Sequence, residues 1–248
     1  MADDPETQEK VMSFWDHVEE LRRRLIVAMI ALAVTTMISF AFADKIIALL
    51  TIPIGGPDKL QAIEVTENVT VFMKVSLLSG FLLALPVILY ELMAFIIPGL
   101  KPSERRWLIL GIFFATLMFA LGVAFAYLVM LPNALPFLLN FLNIPTSPRP
   151  SSYFDFVTGL LFWIGASFQT PLIIFILARF GVVKGSDLLK YWRVAIVVIA
   201  IVAAVVTPTP DPVNMSILMA PLIVLYFLSV LLAFLAQRRN KPDEQPPE

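Results

Sequence analysis

The residues best suited to chemistry are two carboxylates set among arginines. Glu20 precedes Arg22-Arg23-Arg24, and Glu104 stands in Lys101-Pro102-Ser103-Glu104-Arg105-Arg106. A carboxylate offers two planar acceptors that a guanidinium fork meets with parallel hydrogen bonds, a geometry an ammonium cannot reproduce. Each acid also has a local role open to it. Glu20 lies four residues before Arg24 and Glu19 four before Arg23, the helical spacing of an ion pair. Glu104 follows Ser103, a helix-capping residue type, where the helix dipole favours an acid. Residue types alone leave both readings open: local pairing, or a surface that binds guanidinium groups. Gln169 poses a similar choice within an apolar run, between a helix-to-helix hydrogen bond and a functional polar site.

Much other chemistry is excluded by what the chain lacks. It has no cysteine and one histidine, His17, so a thiolate nucleophile, a disulfide or a multi-histidine metal site cannot be built. No Gly-rich phosphate loop is present. A net charge of −1 gives no field for nucleic acid. The expectation is a protein that is not an enzyme.

The elements that must position these residues are membrane helices. Of 248 residues, 59% are apolar and 15% charged, against roughly 45–50% and 25% in soluble domains. Mean hydropathy is +0.85. Six apolar runs approach the ~20 residues a bilayer crossing needs, at about 25–43, 69–97, 107–131, 153–178, 194–206 and 212–236. The fifth is short. Fourteen of the 18 lysines and arginines fall before the first run, between the second and third, between the fourth and fifth, or after the sixth. Positive charge marks the cytoplasmic side, so both termini are expected there. Residues 1–236 read as one six-helix transmembrane domain and 237–248 as a polar tail. Residues 44–68 and 132–152 read as long outer loops that pack as a cap, with Pro53 in a turn of the first. Residues 207–211, ending in Asp211, form a tight proline turn. In the lead-in, Val11, Phe14, Val18, Leu21 and Leu25 share one helical stripe, predicting an interfacial helix that turns or continues into the first span.

At the acidic positions the chain resembles a known family. His17-Val18-Glu19-Glu20-Leu21-Arg22-Arg23-Arg24-Leu25 is similar to the H-x-x-E-L-R-x-R-L pattern of TatC, the multi-spanning core subunit of the twin-arginine protein translocase. Pro86 to Leu100, closed by Glu104-Arg105-Arg106, resembles P-x-x-x-Y-Q-x-W-x-F-x-x-P-x-L…E-R-R. Phe168-Gln169-Thr170-Pro171 resembles F-E-x-P, and the turn at 207–212 resembles T-P-x-D-x with one residue inserted. The resemblance implies a concave six-helix bundle in the cytoplasmic membrane of a prokaryote. It implies that Glu20 and Glu104 read the consecutive arginines of signal peptides on folded precursor proteins, with Arg22 and Phe95 on the same face. It further implies TatB-type and TatA-type single-span partners and transport driven by the proton-motive force without a cofactor. Two departures from the pattern matter. Gln169 stands where the family carries a glutamate thought to contact partner helices, and it cannot ionise. Phe227 follows Tyr226 where the family often has Tyr-Glu, which removes a polar anchor of the last span. A secondary transporter of a small solute is the alternative. Span interiors nearly free of ionisable residues argue against it.

Overall fold

The structure is a computed structural model and describes residues 14–96, 102–140, 146–207 and 212–238. Within these residues every regular element is helical: α1 (Phe14–Phe40), α2 (Ala43–Thr51), α3 (Glu67–Ile96), α4 (Pro102–Phe125), α5 (Leu131–Leu139), α6 (Pro150–Ser167), α7 (Thr170–Arg179), α8 (Gly185–Lys190), α9 (Trp192–Val206) and α10 (Pro212–Arg238). Five helical stretches among the described residues are long and apolar enough to cross a bilayer. They are Trp15–Phe40, Glu67–Phe95, Ile109–Leu139, Pro150–Arg179 and Asn214–Gln237. The sixth expected crossing is α9, whose 15 residues rise only about 22 Å. Leu25, Met37, Leu77, Phe113, Val197 and Val224 are among many large apolar side chains that the fold leaves exposed. In water such a surface is untenable; in a bilayer the lipid tails cover it.

Several elements differ from the sequence reading. The lead-in and first span are one unbroken helix, α1, whose Val18, Leu21 and Leu25 stripe is exposed; Val11 lies outside the described residues. Residues 44–68, read as a loop, contain α2 and two 3₁₀ turns. Pro53 sits in the first of these, which ends at Gly55 with φ 94°, a left-handed geometry that glycine adopts freely. The third span does not stop near Leu131. It passes through a π-helical stretch, Ala126–Met130, and continues as α5 despite Pro132 and Pro136. A π turn re-registers the backbone hydrogen bonds just ahead of the first proline, and neighbouring helices help satisfy groups that prolines free. The fourth span is two helices, α6 and α7, broken at Phe168 and Gln169 ahead of Pro171. Asp211 and residues 239–248 of the expected tail lie outside the described residues.

The end of the bundle far from Glu20 is closed by interlocking segments, as the cap reading expects. Arg149 donates to Glu64 at 2.8 Å and to Glu67 at 2.7 Å. These bonds raise its pKa above the ordinary arginine value, Glu64 first. The Gln61 amide donates to the Pro148 carbonyl at 3.2 Å. The Tyr127 and Tyr153 hydroxyls donate to the Leu49 and Leu50 carbonyls at 2.8 and 2.6 Å, tying α2 to α6 and the third span. Lys74 pairs with Asp155. Beneath this cap lies the largest apolar core, built around Phe154, Met130, Leu131, Val75, Val157, Ile164 and Leu218.

The α1–α3 pair positions the site. These helices run antiparallel and pack on each other more extensively than any other pair. Gly80 makes this possible. A Cβ there would sit 2.6 Å from the Thr36 Cα and 2.8 Å from its nitrogen. The Thr35 hydroxyl donates across the crossing to the Gly80 carbonyl at 2.8 Å. Small residues at such crossings let backbones approach in lipid, where apolar side chains gain little by leaving the tails. Toward the cap, Ser39 and Ser79 share a hydroxyl hydrogen bond and Phe40 stacks on Phe72. The same register, carried the other way, sets α1's Arg24 against α3's Glu91.

Candidate functional site

At the Glu20 end of the pair, α1 and α3 enclose an open groove of about 590 Å³. Asp16, Glu19, Glu20, Arg23 and Arg24 line it from α1 together with Val27, and Tyr90 and Glu91 line it from α3. Four carboxylates thus face two guanidinium groups.

Arg24 is the hub. Its Nε and Nη2 donate to Glu20 Oε1 at 2.9 and 2.6 Å, and its Nη1 donates to Glu91 Oε2 at 3.1 Å. All three side chains are partly buried, with exposures of 25% for Arg24, 19% for Glu20 and 15% for Glu91. Glu20's other oxygen, Oε2, is shielded and has no hydrogen-bond partner within the described residues. A shielded carboxylate oxygen without a donor costs free energy, so this atom is a ready acceptor for a cation from outside the chain.

One helical turn further toward the chain's amino end, His17 stacks on Phe95, with ring centroids 4.4 Å apart and planes at 22°. Phe95 is four residues beyond Glu91 and His17 three before Glu20, so both pairs lie on facing stripes of α1 and α3. The structure therefore brings Glu20 and Phe95 to one surface. Arg22 is exposed on α1 and is not part of the groove lining. Glu104 falls in the first turn of α4, and its side chain lies outside the described residues.

Gln169 sits at the α6–α7 break. Its Nε2 donates to the Ala115 carbonyl of α4 at 2.9 Å, and its shielded Oε1 has no described partner. The helix-to-helix bond is present, and one acceptor is left over. The last span still makes polar contacts on either side of Phe227. The Tyr226 hydroxyl donates to Leu188 of α8 at 2.5 Å, and Gln237 donates to the Val183 carbonyl at 3.2 Å.

Sequence reasoning assigned no role to Glu91, and it placed Arg24 only as a local partner of Glu20. The available signal was an acid inside an otherwise apolar run, which is costly without a partner. No metal-binding cluster of His, Cys, Asp and Glu occurs among the described residues.

The family profile described as "Sec-independent protein translocase protein (TatC)" matches residues 16–221, which include the groove, Phe95 and Gln169. The chain belongs to the TatC family. It is 38% identical over 240 residues to the "Sec-independent protein translocase protein TatC" of Deinococcus radiodurans, covering 93% of this chain and 88% of that one. It is 40% identical over 222 residues to the chloroplastic TATC of Arabidopsis thaliana, where the match takes in 88% of this chain but 65% of the longer plant protein. A solved structure titled "Crystal Structure of Twin Arginine Translocase Receptor- TatC" superposes with a TM-score of 0.73 at 33% identity, over 90% of this chain and all of that one. As a TatC protein with several membrane-crossing helices, the chain is a multi-pass component of protein transport.

Proposed function

We propose that the chain is the twin-arginine signal receptor and core of its translocase, and that the groove between α1 and α3 is where the first contact is made. The observation that carries this reading is Glu20 Oε2, a shielded carboxylate oxygen with no donor, in an acid-lined groove at a helix-bundle end. A guanidinium from a signal peptide supplies the missing N–H groups, and Glu104 at the start of α4 supplies the second carboxylate. Arg22 and Phe95 belong to the same docking face. The peptide's apolar stretch then lies along the concave bundle, and TatA-type and TatB-type single-span subunits join in the membrane, where Gln169 offers its spare acceptor to a partner helix. α9 completes six crossings, which puts both termini and the groove on the cytoplasmic side of a prokaryotic inner membrane, with Pro53 in a turn on the far side. The proton-motive force drives transport, and no cofactor takes part.

Binding of an Arg-Arg signal peptide and its Lys-Lys twin to the purified chain tests this. Glu20→Ala and Glu104→Ala each remove a charged contact worth on the order of 1.5–3 kcal/mol. The expected result is a clear Arg-Arg preference that both variants abolish. Equal binding of the two peptides, or variants that bind like the parent, would return both acids to local pairing and capping.

A further inference from the structure

The acid proposed to read the signal is already engaged by an arginine of the chain itself. Glu20 Oε1 accepts two hydrogen bonds from Arg24, which fills its capacity and leaves Oε2 alone for a newcomer. A parallel two-bond pairing with a second guanidinium needs both oxygens. The newcomer must therefore displace Arg24 from Oε1. Left without a partner in a partly buried groove, Arg24 would make that displacement unfavourable. Glu91 removes the obstacle, since its Oε2 already accepts from Arg24 Nη1 at 3.1 Å. The guanidinium then has to swing only about its terminal bonds to give Glu91 a second N–H.

Resting on the receptor reading, we infer that Glu91 is a positioning residue for signal docking. It takes over Arg24 when an incoming arginine takes Glu20. The charge count of this cluster agrees. At rest two carboxylates hold one guanidinium. With a signal arginine bound, two hold two, and the cluster is neutral. Arg24 acts as an internal stand-in for the ligand, keeping Glu20 extended into the groove and yielding it on arrival. A lysine makes a poor replacement, since a point ammonium cannot compete for Oε1 and Oε2 together.

The test uses the full chain in detergent, the Arg-Arg peptide and its Lys-Lys twin. Glu91→Gln keeps the side-chain shape and removes the charge, and it is expected to weaken Arg-Arg binding by about tenfold, the size of one charge-assisted contact. Arg24→Gln frees Oε1 and is expected to tighten it. In the Arg24→Gln background, Glu91→Gln is expected to shift binding by less than about threefold, since its effect runs through Arg24. Should Arg24→Gln not fold, Arg24→Lys, which keeps the charge but loses the fork, is expected to tighten binding in the same way. A Glu91→Gln loss of equal size with and without Arg24 overturns the inference, because Glu91 would then act on the peptide directly. Weaker binding in both Arg24 variants overturns it as well, since Arg24 would be holding Glu20 rather than yielding it. A parent chain that does not prefer Arg-Arg over Lys-Lys marks a different failure, that of the receptor reading.

Discussion

Gly80→Ala measures how closely α1 and α3 must approach. The new methyl group would lie 2.6 Å from the Thr36 Cα, so the helices must part by roughly 0.8 Å to restore ordinary contact near 3.4 Å. Three effects compete. Alanine favours the helix over glycine by about 1 kcal/mol. Overpacking against a backbone that cannot rotate away costs about 1–3 kcal/mol. Parting the helices also stretches the Thr35-to-Gly80 bond, now 2.8 Å, at a cost of about 1 kcal/mol. The net expectation is a loss of about 1–3 kcal/mol, which corresponds to a fall in melting temperature of roughly 2–12 °C for a chain of this size. Thermal unfolding in detergent reads it, with Gly159→Ala as the control, since nothing lies within 4 Å of a Cβ there. The decisive arm is Gly80→Ala combined with Thr36→Ala. The hydroxyl is one of the atoms crowding the site, but the Thr36 Cα and nitrogen are backbone and remain. Removing the hydroxyl should therefore restore little. Full recovery in the double variant, or a Gly80→Ala chain as stable as the parent, would refute the claim that backbone contact sets the spacing.

Further expectations concern the cap, the core and the helix break. Arg149→Gln leaves the Glu67 carboxylate buried without its cation and should lower the melting temperature more than Glu64→Gln, because Glu64 is largely exposed and Glu67 is 3% exposed. Since pairing raises the Arg149 pKa, this stabilisation is complete below the arginine range and is lost only above it. The parent-minus-variant difference contributed by Arg149 should thus stay flat from about pH 7 to 9. Phe154→Ala empties a fully buried site and should cost about 3–5 kcal/mol in the same unfolding assay. Gln169→Leu loses one hydrogen bond but also removes an unpartnered acceptor, so the isolated chain should melt within about 1 kcal/mol of the parent. Its co-purification with single-span partner subunits should fall; unchanged assembly would remove Gln169 from the docking surface.

What the sequence made legible was what depends on neighbours along the chain. The Glu20–Arg24 pair follows from four-residue spacing, and the exposed Val18, Leu21 and Leu25 stripe from helical periodicity. The apolar runs located the long helices to within several residues at most ends. Prolines misled the reading of the third span. Pro132 and Pro136 look like a helix end, but the π turn before them resets the hydrogen-bond register, and that turn has no sequence mark of its own. Residues 44–51 read as part of a loop, although Ala43, Leu50 and Thr51 of α2 are buried. The contact between Arg24 and Glu91 lay furthest out of reach. The residues are 67 positions apart, and only the depth and register of the α1–α3 crossing bring them together. Gly80 encodes that crossing, yet a single glycine in an apolar run does not say which helix will come near it.

The unbroken helix α1 is, in mechanical terms, a rod about 40 Å long held at a fulcrum. The fulcrum is Thr36 against Gly80. Arg24 lies 12 residues away, so the arm between them is about 18 Å. A tilt of the rod by about 1.6° displaces Arg24 by about 0.5 Å along such an arm, enough to turn a 3.1 Å bond to Glu91 into none. The short arm on the other side ends at Ser39 and Phe40, locked to Ser79 and Phe72. Aim at the groove is therefore governed by the small contacts beyond the fulcrum, and a slack joint there would be felt as lost alignment at the far end of the lever.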